Sequence, residues 1–191
     1  DVDVMMSVGN NFFYTLSLPC SLWFFDKAKK ESIKDKVLFI DARNYFTVVD
    51  RTLNEWTEWQ LNNLQAIVHL YRGETDKSSR LLEKYENSIE DAIATIHEQC
   101  CELMPLFSRD SAETILNNLP LSSEIDYVKA TERLRSTLDM TKEALKYEEE
   151  EQGKKNKKQR EAAMSAVVDC INSAITLISD RQWLIDKFGT E

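Results

Sequence analysis

Three short apolar segments stand at the start of this sequence, and only helical patterns follow them. The first, Val2–Val8, alternates apolar residues with Asp3 and Ser7, whereas Cys20–Asp26 is apolar almost throughout and Val37–Asp41 is a short apolar run. Alternation and short apolar runs are typical of β-strands, and a strand that is apolar on both faces is typical of the interior of a sheet. Three strands cannot give every inner strand a neighbour on both sides. We therefore expect the closing part of a larger α/β sheet, and a sequence that is a piece of a longer polypeptide.

The first helix has a recognisable start and end. Thr57-x-x-Gln60 forms a capping box, with Asn54 or Thr52 as the competing starts, and Gly73 suits the position after the last turn. Between them the 3.6-residue apolar face consists of Leu61, Leu64, Ile67, Val68 and Tyr71. The lysine-rich connection 27–36 is expected to be a solvated loop, and residues 44–51 an irregular stretch.

The remaining sequence predicts long helices with narrow apolar seams. A helix from about Ser78 to Pro105 has the heptad-spaced residues Leu82, Tyr85, Ile89, Ala92, Ile96, Gln99 and Leu103. A short helix is expected at 110–118. Another begins near Ser122 or Ser123, with a seam of Val128, Thr131, Leu134, Leu138 and Leu145, on which Thr141 also lies. The last, about 157–179, is the most apolar, with Met164, Val167, Val168, Ile171, Ala174, Ile175 and Ile178. The fold class is therefore mainly α with a small β portion, divided into a sheet part (1–75) and a helical part (76–191), the helices in a bundle or coiled-coil arrangement.

A run of glutamates followed by lysines separates the last two helices. Residues 148–158 fit either a helical hairpin with its tip at Gly153 or one continuous helix stitched by Glu150–Lys154 and Glu151–Lys155 pairs. An acidic run at a helix C-terminus opposes the macrodipole, which counts against the hairpin. A glycine inside a helix costs about 0.8–1 kcal/mol, which counts against the continuous helix.

Charge and composition restrict the kind of partner. The formal net charge is −9, which argues against a self-contained nucleic-acid interface. Residues 1–75 carry eight basic and ten acidic side chains, whereas the rest carry 16 and 23, so the acidity lies mainly in the helices. The sequence has no uninterrupted apolar stretch of the roughly 18 to 20 residues that span a bilayer. We expect the helical part to contact protein.

Complete catalytic or metal-binding motifs are absent from the sequence. His69 and His97 stand alone on predicted helices, and the four cysteines have no CxxC spacing, so we expect no metal site and reduced thiols. The four glycines form no phosphate-binding loop. We expect neither catalytic nor cofactor-binding residues within this chain.

The first quarter resembles a known family. The strings that carry the resemblance are Phe13-Tyr14, Leu18-Pro19, Leu22-Trp23-Phe24-Phe25-Asp26-Lys27, Val37-Leu38-Phe39-Ile40-Asp41-Ala42-Arg43, Arg51 and Tyr71-Arg72-Gly73-Glu74. In this order they are similar to the end of the methyltransferase domain in the methylation subunits of type I restriction-modification systems, which are adenine-N6 DNA methyltransferases. The resemblance covers roughly residues 2–74.

The resemblance implies a Rossmann-like sheet whose antiparallel strand, here Cys20–Phe25, is wedged between two others. It places the cofactor loop and the Asn-Pro-Pro-aromatic catalytic motif upstream of Asp1. The parent enzyme would use S-adenosylmethionine, with none bound to this piece, which would be inactive alone. Family enzymes flip the target adenine out of the duplex, and the resemblance assigns stacking on that base to Phe13, with Tyr14 beside it. The alternative is that Phe12 and Phe13 are core aromatics at the end of a strand.

The resemblance also implies partners. The long helices would dock onto the specificity subunit, through seam residues that we identify as Leu82, Ile89, Ile96, Leu103, Leu138, Leu145, Ile171 and Ile178. The restriction subunit would join the same complex, DNA would be reached through that complex, and no membrane would be involved. The expected location is the prokaryotic cytoplasm. An exposed apolar edge at 22–25 would let the isolated chain associate with itself.

A second hypothesis is a non-enzymatic helical adaptor or oligomerisation protein. In that case the three strands only cap the helices, the family strings are coincidental, and the seams pack against one another within the chain.

Overall fold

The computed structural model describes residues 1–13, 17–120, 126–153 and 155–188, and it is mainly helical with a small sheet. The chain divides into two compact units. A sheet unit comprises Asp1–Leu82 together with the last residues from Asp186, and a helical unit comprises Glu83–Ile185. The expected division at residues 75 and 76 stays a prediction.

The sheet of the first unit has three strands, and each lies within one residue of its predicted bounds. They are β1 (Val2–Val8), β2 (Cys20–Phe25) and β3 (Leu38–Ala42), in the order β2-β1-β3. β1 pairs with β2 antiparallel and with β3 parallel. Within the described sheet β2 is therefore an edge strand, not one wedged between two others, because β1 takes the central place.

Two further short strands follow β3, the first of them within the stretch 44–51 that the sequence suggests to be irregular. β4 (Thr47–Val48) pairs antiparallel with β5 (Asn54–Glu55), where Val48 lies opposite Asn54. Two-residue strands carry too little alternation to be recognised in a sequence. The connection between β2 and β3 contains a short 3₁₀ helix, Glu31–Ile33.

The first helix, α1 (Glu58–Tyr71), begins where the capping box predicts. The Thr57 hydroxyl accepts a hydrogen bond from the Gln60 N–H, and the Gln60 side chain accepts one from the Thr57 N–H. Gly73 follows the helix with a φ of 73°, in the left-handed region that glycine adopts readily. The core of the unit lies between the sheet and this helix. Its buried members include Val4, Met6, Val8, Ile40, Ala42, Leu64, Ala66 and Ile67.

The described part of the chain continues with the α-helices α2 (Thr75–Leu103), α3 (Arg109–Asn118), α4 (Tyr127–Gln152) and α5 (Lys157–Phe188). The carboxylate of Asp126 caps α4, whereas the predicted start at Ser122 or Ser123 lies outside the described residues. α5 extends well beyond the predicted end at residue 179.

The chain breaks at Gly153, so the interpretation as a continuous helix is wrong. Gly153 has a φ of 58° and ends α4, and Asn156 has a φ of 56° just before α5. The buried Arg160 guanidinium donates hydrogen bonds to the backbone carbonyls of Gly153 and Lys155. These bonds satisfy the carbonyl of the residue that caps α4 and one carbonyl of the turn between α4 and α5.

The buried stripe of α4 matches the predicted seam only in part, at Leu134 and Thr141. Its buried residues are Ala130, Leu134, Thr137, Thr141, Ala144 and Glu148. The threonine hydroxyls donate to backbone carbonyls four residues earlier, so Thr137 and Thr141 can be buried without unpaired donors. Of the predicted seam, Val128 is exposed, whereas Leu138 and Leu145 are half-buried.

Among the described residues, one helix is long and apolar enough to cross a membrane. A stretch of 31 residues in α5, Lys157–Lys187, has a mean hydropathy of 1.5 in its most apolar window, of which 28% is buried in the protein. A core helix can have the same length and composition, and Val167, Ile171 and Ala174 of α5 are fully buried in this chain. The sequence identifies this helix as the most apolar but contains no uninterrupted apolar stretch of spanning length, because polar residues interrupt it.

Candidate functional site

Phe13, one of the two predicted base-stacking residues, follows β1, at the edge where the parallel strands β1 and β3 both end. Val8 lies opposite Ala42 there, and Gly9 continues the chain against the backbone of Arg43. A Cβ on Gly9 would lie 2.5 Å from the carbonyl oxygen of Arg43. Only glycine permits so close an approach, and ligands of α/β sheets bind outside the carboxyl ends of parallel strands.

Asn54 of β5 holds the segment 9–13, which we call the strand-end loop. Its backbone N–H donates to the carbonyl of Asn11 at 2.7 Å, and its side-chain amide donates to the carbonyl of Asn10 at 2.9 Å. Asn11 has a φ of 61°, a conformation that asparagine tolerates better than most residues. The loop is thus fixed at two successive carbonyls by one buried residue.

The two aromatic residues of the strand-end loop differ in their surroundings. The ring of Phe12 lies 4.6 Å from that of Trp56 and 6.0 Å from that of Phe46, edge-on to the latter. Trp56 is itself held by a hydrogen bond from its indole N–H to the carbonyl of Tyr45. Phe12 therefore belongs to an aromatic cluster, as the core interpretation requires. Its neighbour Phe13 is 48% exposed.

Phe13 is thus accessible to a ligand at the carboxyl ends of the strands. Tyr14, the other residue proposed to stack, lies outside the described residues. The sequence alone could not tell Phe12 from Phe13, because the aromatic partners of Phe12 lie far along the chain.

An exposed ion pair follows at the end of β3. The guanidinium of Arg43 contacts both carboxylate oxygens of Asp41, at 2.8 and 2.7 Å. These hydrogen bonds lower the pKa of Asp41 to about 2 and raise the pKa of Arg43. Both groups are engaged with each other, which organises the start of the chain after β3.

A buried polar cluster, which we call the Asp3 cluster, was missed by the sequence analysis. The Asp3 carboxylate on β1 lies 2.6 Å from the guanidinium of Arg72 and 3.8 Å from the ammonium of Lys29. The side chains of Asp3 and Lys29 are 1% and 2% exposed. Lys29 also donates to the carbonyls of Val2 and Lys36. The connection 27–36 is therefore anchored at Lys29, not freely solvated, and alternation gave no signal for a buried Asp3.

An apolar groove of about 540 Å³ runs between the sheet and α1. Its lining consists of Val4, Met6, Leu22, Phe24, Trp56, Leu61, Leu64, Gln65, Val68, His69 and Arg72. At its polar end His69 Nδ1 lies 2.8 Å from a carboxylate oxygen of Glu74. The ammonium of Lys77 and then His69 hold the pKa of Glu74 below its usual range.

The face of the sheet opposite α1 is apolar and uncovered in the described residues. Met5 lies opposite Trp23 of β2 and Phe39 of β3, which are 53% and 70% exposed. On the groove side, Leu22 and Phe24 of β2 are also exposed. β2 is thus apolar and exposed on both of its faces, which is unusual for an edge strand at the surface.

The described residues do not fit S-adenosylmethionine as a bound cofactor. Gly9 packs against a backbone carbonyl, and Gly73 and Gly153 end helices, so the described glycines line no ligand loop. The strand carboxylates Asp3 and Asp41 are both engaged by arginines. The described residues also contain no group of three or more side chains suited to a metal ion.

The residues of the predicted partner-helix seam differ in their burial. Five members, Ile89, Ile96, Leu103, Ile171 and Ile178, are buried within this chain, together with Tyr85, Ile93 and Cys100 of α2. Leu82, Leu138 and Leu145 are half-buried. Contact between the seam and a partner helix stays a prediction.

Comparisons with known proteins agree on one family for the first half of the chain. The model of the N-6 DNA methylase family matches residues 1–99, just over half of the sequence. The MjaIX methylase subunit of a type I restriction enzyme, from Methanocaldococcus jannaschii, is 43% identical over 60 residues. The HindI methylase subunit of a type I restriction enzyme, from Haemophilus influenzae, is 30% identical over 71 residues.

These matches are partial. They cover 31% and 37% of this chain, but only 10% and 16% of the respective relatives. The chain therefore aligns with a small portion of each methylase subunit. No solved structure matches the chain significantly.

Proposed function

The chain belongs to the N-6 DNA methylase family, and on that premise we propose that it is the C-terminal part of the modification subunit of a type I restriction-modification system. The complete subunit would transfer a methyl group from S-adenosylmethionine to N6 of adenine in DNA. The catalytic and cofactor-binding groups would lie outside this chain, which would be inactive alone. The poor fit of the described residues to S-adenosylmethionine supports a location of these groups outside this chain.

The observation that carries the proposal is the apolar exposure of both faces of β2. Trp23 and Phe25 are exposed on one face, and Leu22 and Phe24 on the other. An exposed edge strand of this kind favours pairing with another strand. Its two apolar faces favour coverage of the sheet by apolar layers on both sides. We propose that β2 pairs with the rest of a Rossmann-like methyltransferase sheet, so that β1, β2 and β3 are its closing strands.

Phe13 would provide a surface for the target base. Base stacking on an aromatic ring contributes about 1–3 kcal/mol per base, and an extruded adenine needs such a surface to replace its lost neighbours. The exposure of Phe13 beside the strand ends, with Phe12 occupied by its own cluster, supports this role.

The helical unit would dock onto the specificity subunit. α4 retains a second stripe outside its buried one, in which Val128 is exposed and Leu138 and Leu145 are half-buried at heptad spacing. We propose this stripe as the contact with a partner helix, with the restriction subunit in the same complex and DNA reached through it. Such a complex would act in the cytoplasm of a prokaryotic cell.

Calorimetry with S-adenosylmethionine tests the proposed enzyme. The complete polypeptide is titrated beside this 191-residue chain, and transfer of radioactive methyl groups to unmethylated DNA is measured for both in the presence of the specificity subunit. We expect binding and transfer with the complete polypeptide and neither with the chain. Binding by the chain itself would contradict the assignment of the cofactor site, and a complete polypeptide without binding or transfer would refute the enzyme.

Docking is tested by substitution in the α4 stripe. Leu138→Lys places a charge on the proposed contact, whereas Ser136→Lys places the same charge on an exposed position of the same helix. We expect only Leu138→Lys to release the co-purifying specificity subunit, because a buried unpaired charge at a helix contact is unfavourable. Equal retention of the subunit by both variants would exclude this stripe.

One observation favours the adaptor as a second candidate. Ile89, Ile96 and Ile171 are buried within this chain, as the adaptor hypothesis expects of helices that pack against one another. Family membership argues against the coincidence that this hypothesis requires of residues 1–74. A complete polypeptide that gathers partner subunits but never binds S-adenosylmethionine would favour the adaptor.

A further inference from the structure

We propose that Asn54 is a positioning residue for the base-stacking ring of Phe13. This inference rests on the proposed function, in which Phe13 stacks on the target adenine. Asn54 does not touch the base in this proposal. It acts through the strand-end loop, whose conformation decides which of two adjacent phenylalanines turns outward.

The loop conformation needs support from outside the loop. Asn11 lies in the left-handed region with a φ of 61°, which is less favourable than the right-handed and extended regions for any residue with a side chain. Such conformations persist where surrounding contacts determine them, and they concentrate at functional sites. The strand-end loop therefore depends on its hydrogen bonds for a single orientation of Phe13.

Asn54 provides two of these hydrogen bonds. Its N–H and its side-chain Nδ2 donate to the carbonyls of Asn11 and Asn10, at 2.7 and 2.9 Å. Asn54 is 5% exposed and is itself held in β5 opposite Val48 of β4. The donor is thus buried, and its backbone is fixed by a strand pair.

The chain after Asn54 holds the loop from the other side. Trp56, two residues further on, packs its ring against Phe12 at 4.6 Å. The segment 54–56 therefore fixes both the carbonyls of Asn10 and Asn11 and the ring of Phe12. Phe12 is thus held in the cluster, whereas the adjacent Phe13 is 48% exposed.

The test uses the complete modification enzyme and two DNA duplexes. The recognition sequence is first determined by locating the methylated adenines in host DNA. Both duplexes carry this sequence, and in one of them an abasic site replaces the target adenine. The ratio of the two dissociation constants isolates the interaction with the base. Phe13→Ala should shift this ratio by roughly 5- to 150-fold, the value of one stacking contact.

Asn54→Ala, which removes the Nδ2 bond, should shift the same ratio by roughly 2- to 12-fold. Asn54→Asp keeps the shape of the side chain but directs an oxygen at the carbonyl of Asn10, and it should shift the ratio further. Asn118→Ala is the matched control, because it removes an amide that donates to the carbonyl of Arg133 in the helical unit. It should leave the ratio unchanged.

The outcomes separate the inference from the proposed function. Shifts in the ratio for both the Phe13 and the Asn54 variants support the inference. A shift with Phe13→Ala alone would overturn it and leave the stacking role intact. Equal weakening of both duplexes by Asn54→Ala would also overturn it, since that result indicates a role in folding only. No shift with Phe13→Ala would remove the stacking role and the inference together.

Discussion

Asp3→Asn should destabilise the sheet unit strongly, although the substitution changes almost nothing in volume. The Asp3 carboxylate is buried between Arg72 and Lys29, and the side chain of Lys29 is 2% exposed. An amide in the same place cannot balance either cation. The variant therefore leaves the Lys29 ammonium buried without its counter-charge, while its bonds to the carbonyls of Val2 and Lys36 remain.

The expected cost follows from that arrangement. Removing one partner of a buried ion pair costs about 3–5 kcal/mol, because the remaining charge is left without compensation. We expect about 3 kcal/mol, the lower end of that range, since the Arg72 side chain is 36% exposed and can be solvated by water. A whole domain is stable by only about 5–15 kcal/mol, so the loss is a large part of the total.

Native-state hydrogen exchange of the β1 amides measures this loss directly. A decrease of about 3 kcal/mol in opening free energy corresponds to roughly 150-fold faster exchange. Asp41→Asn is the matched control, because it breaks an aspartate–arginine pair of the same sheet that is exposed to solvent. It should change the exchange of β1 very little. Equal effects of the two substitutions would refute the reasoning from burial.

Three further predictions concern single groups. The Asp41 carboxyl should titrate near pH 2 by NMR, and Arg43→Gln should return its pKa toward 3.8. Because the folded pKa is lowered, the contribution of the pair to stability is present above pH 3.8 and lost as the pH falls through 2. An unshifted titration of Asp41 would exclude the pair in solution. Iodoacetamide at pH 8 should label the exposed Cys101 at once but the neighbouring Cys100 only on unfolding, since burial raises the pKa of the Cys100 thiol to about 12. Equal labelling of the two cysteines in the folded chain would contradict the burial of Cys100. The isolated chain should self-associate with rising concentration in sedimentation, and Trp23→Lys should reduce this association, whereas a monodisperse wild-type chain would contradict an open apolar edge.

Local signals in the sequence predicted most of the element boundaries. Alternation over Val2–Val8 and the capping box at Thr57 each depend on residues a few positions apart, and both are confirmed. The break at Gly153 was one of two open alternatives, and the positive φ of that glycine decides between them.

Contacts between distant residues could not be predicted in the same way. Asp3 and Arg72 are 69 positions apart, and an aspartate in an alternating strand is expected on the solvent side. Asn54 likewise stood in the sequence only as a competing helix start. The role of its amide depends on carbonyls 43 and 44 positions earlier in the strand-end loop.

The seam of α4 shows a third limit of prediction from the sequence. The predicted stripe mixed leucines with Thr131 and Thr141, and the buried stripe contains Thr141 but also Thr137, which was not predicted. A threonine in a helix can satisfy its own hydroxyl locally and then behave as a small core residue, so apolar spacing alone does not identify it.

The contact between Gly9 and the carbonyl of Arg43 has a consequence for sequence variation. At 2.5 Å from a hypothetical Cβ, that oxygen belongs to the backbone, so no change of rotamer can make room for a larger residue. In a library that varies every position of the sheet unit, position 9 should return glycine alone, whatever residue is present at 43. The pair would leave no trace in covariation, since one partner never changes and the other contributes only its main chain.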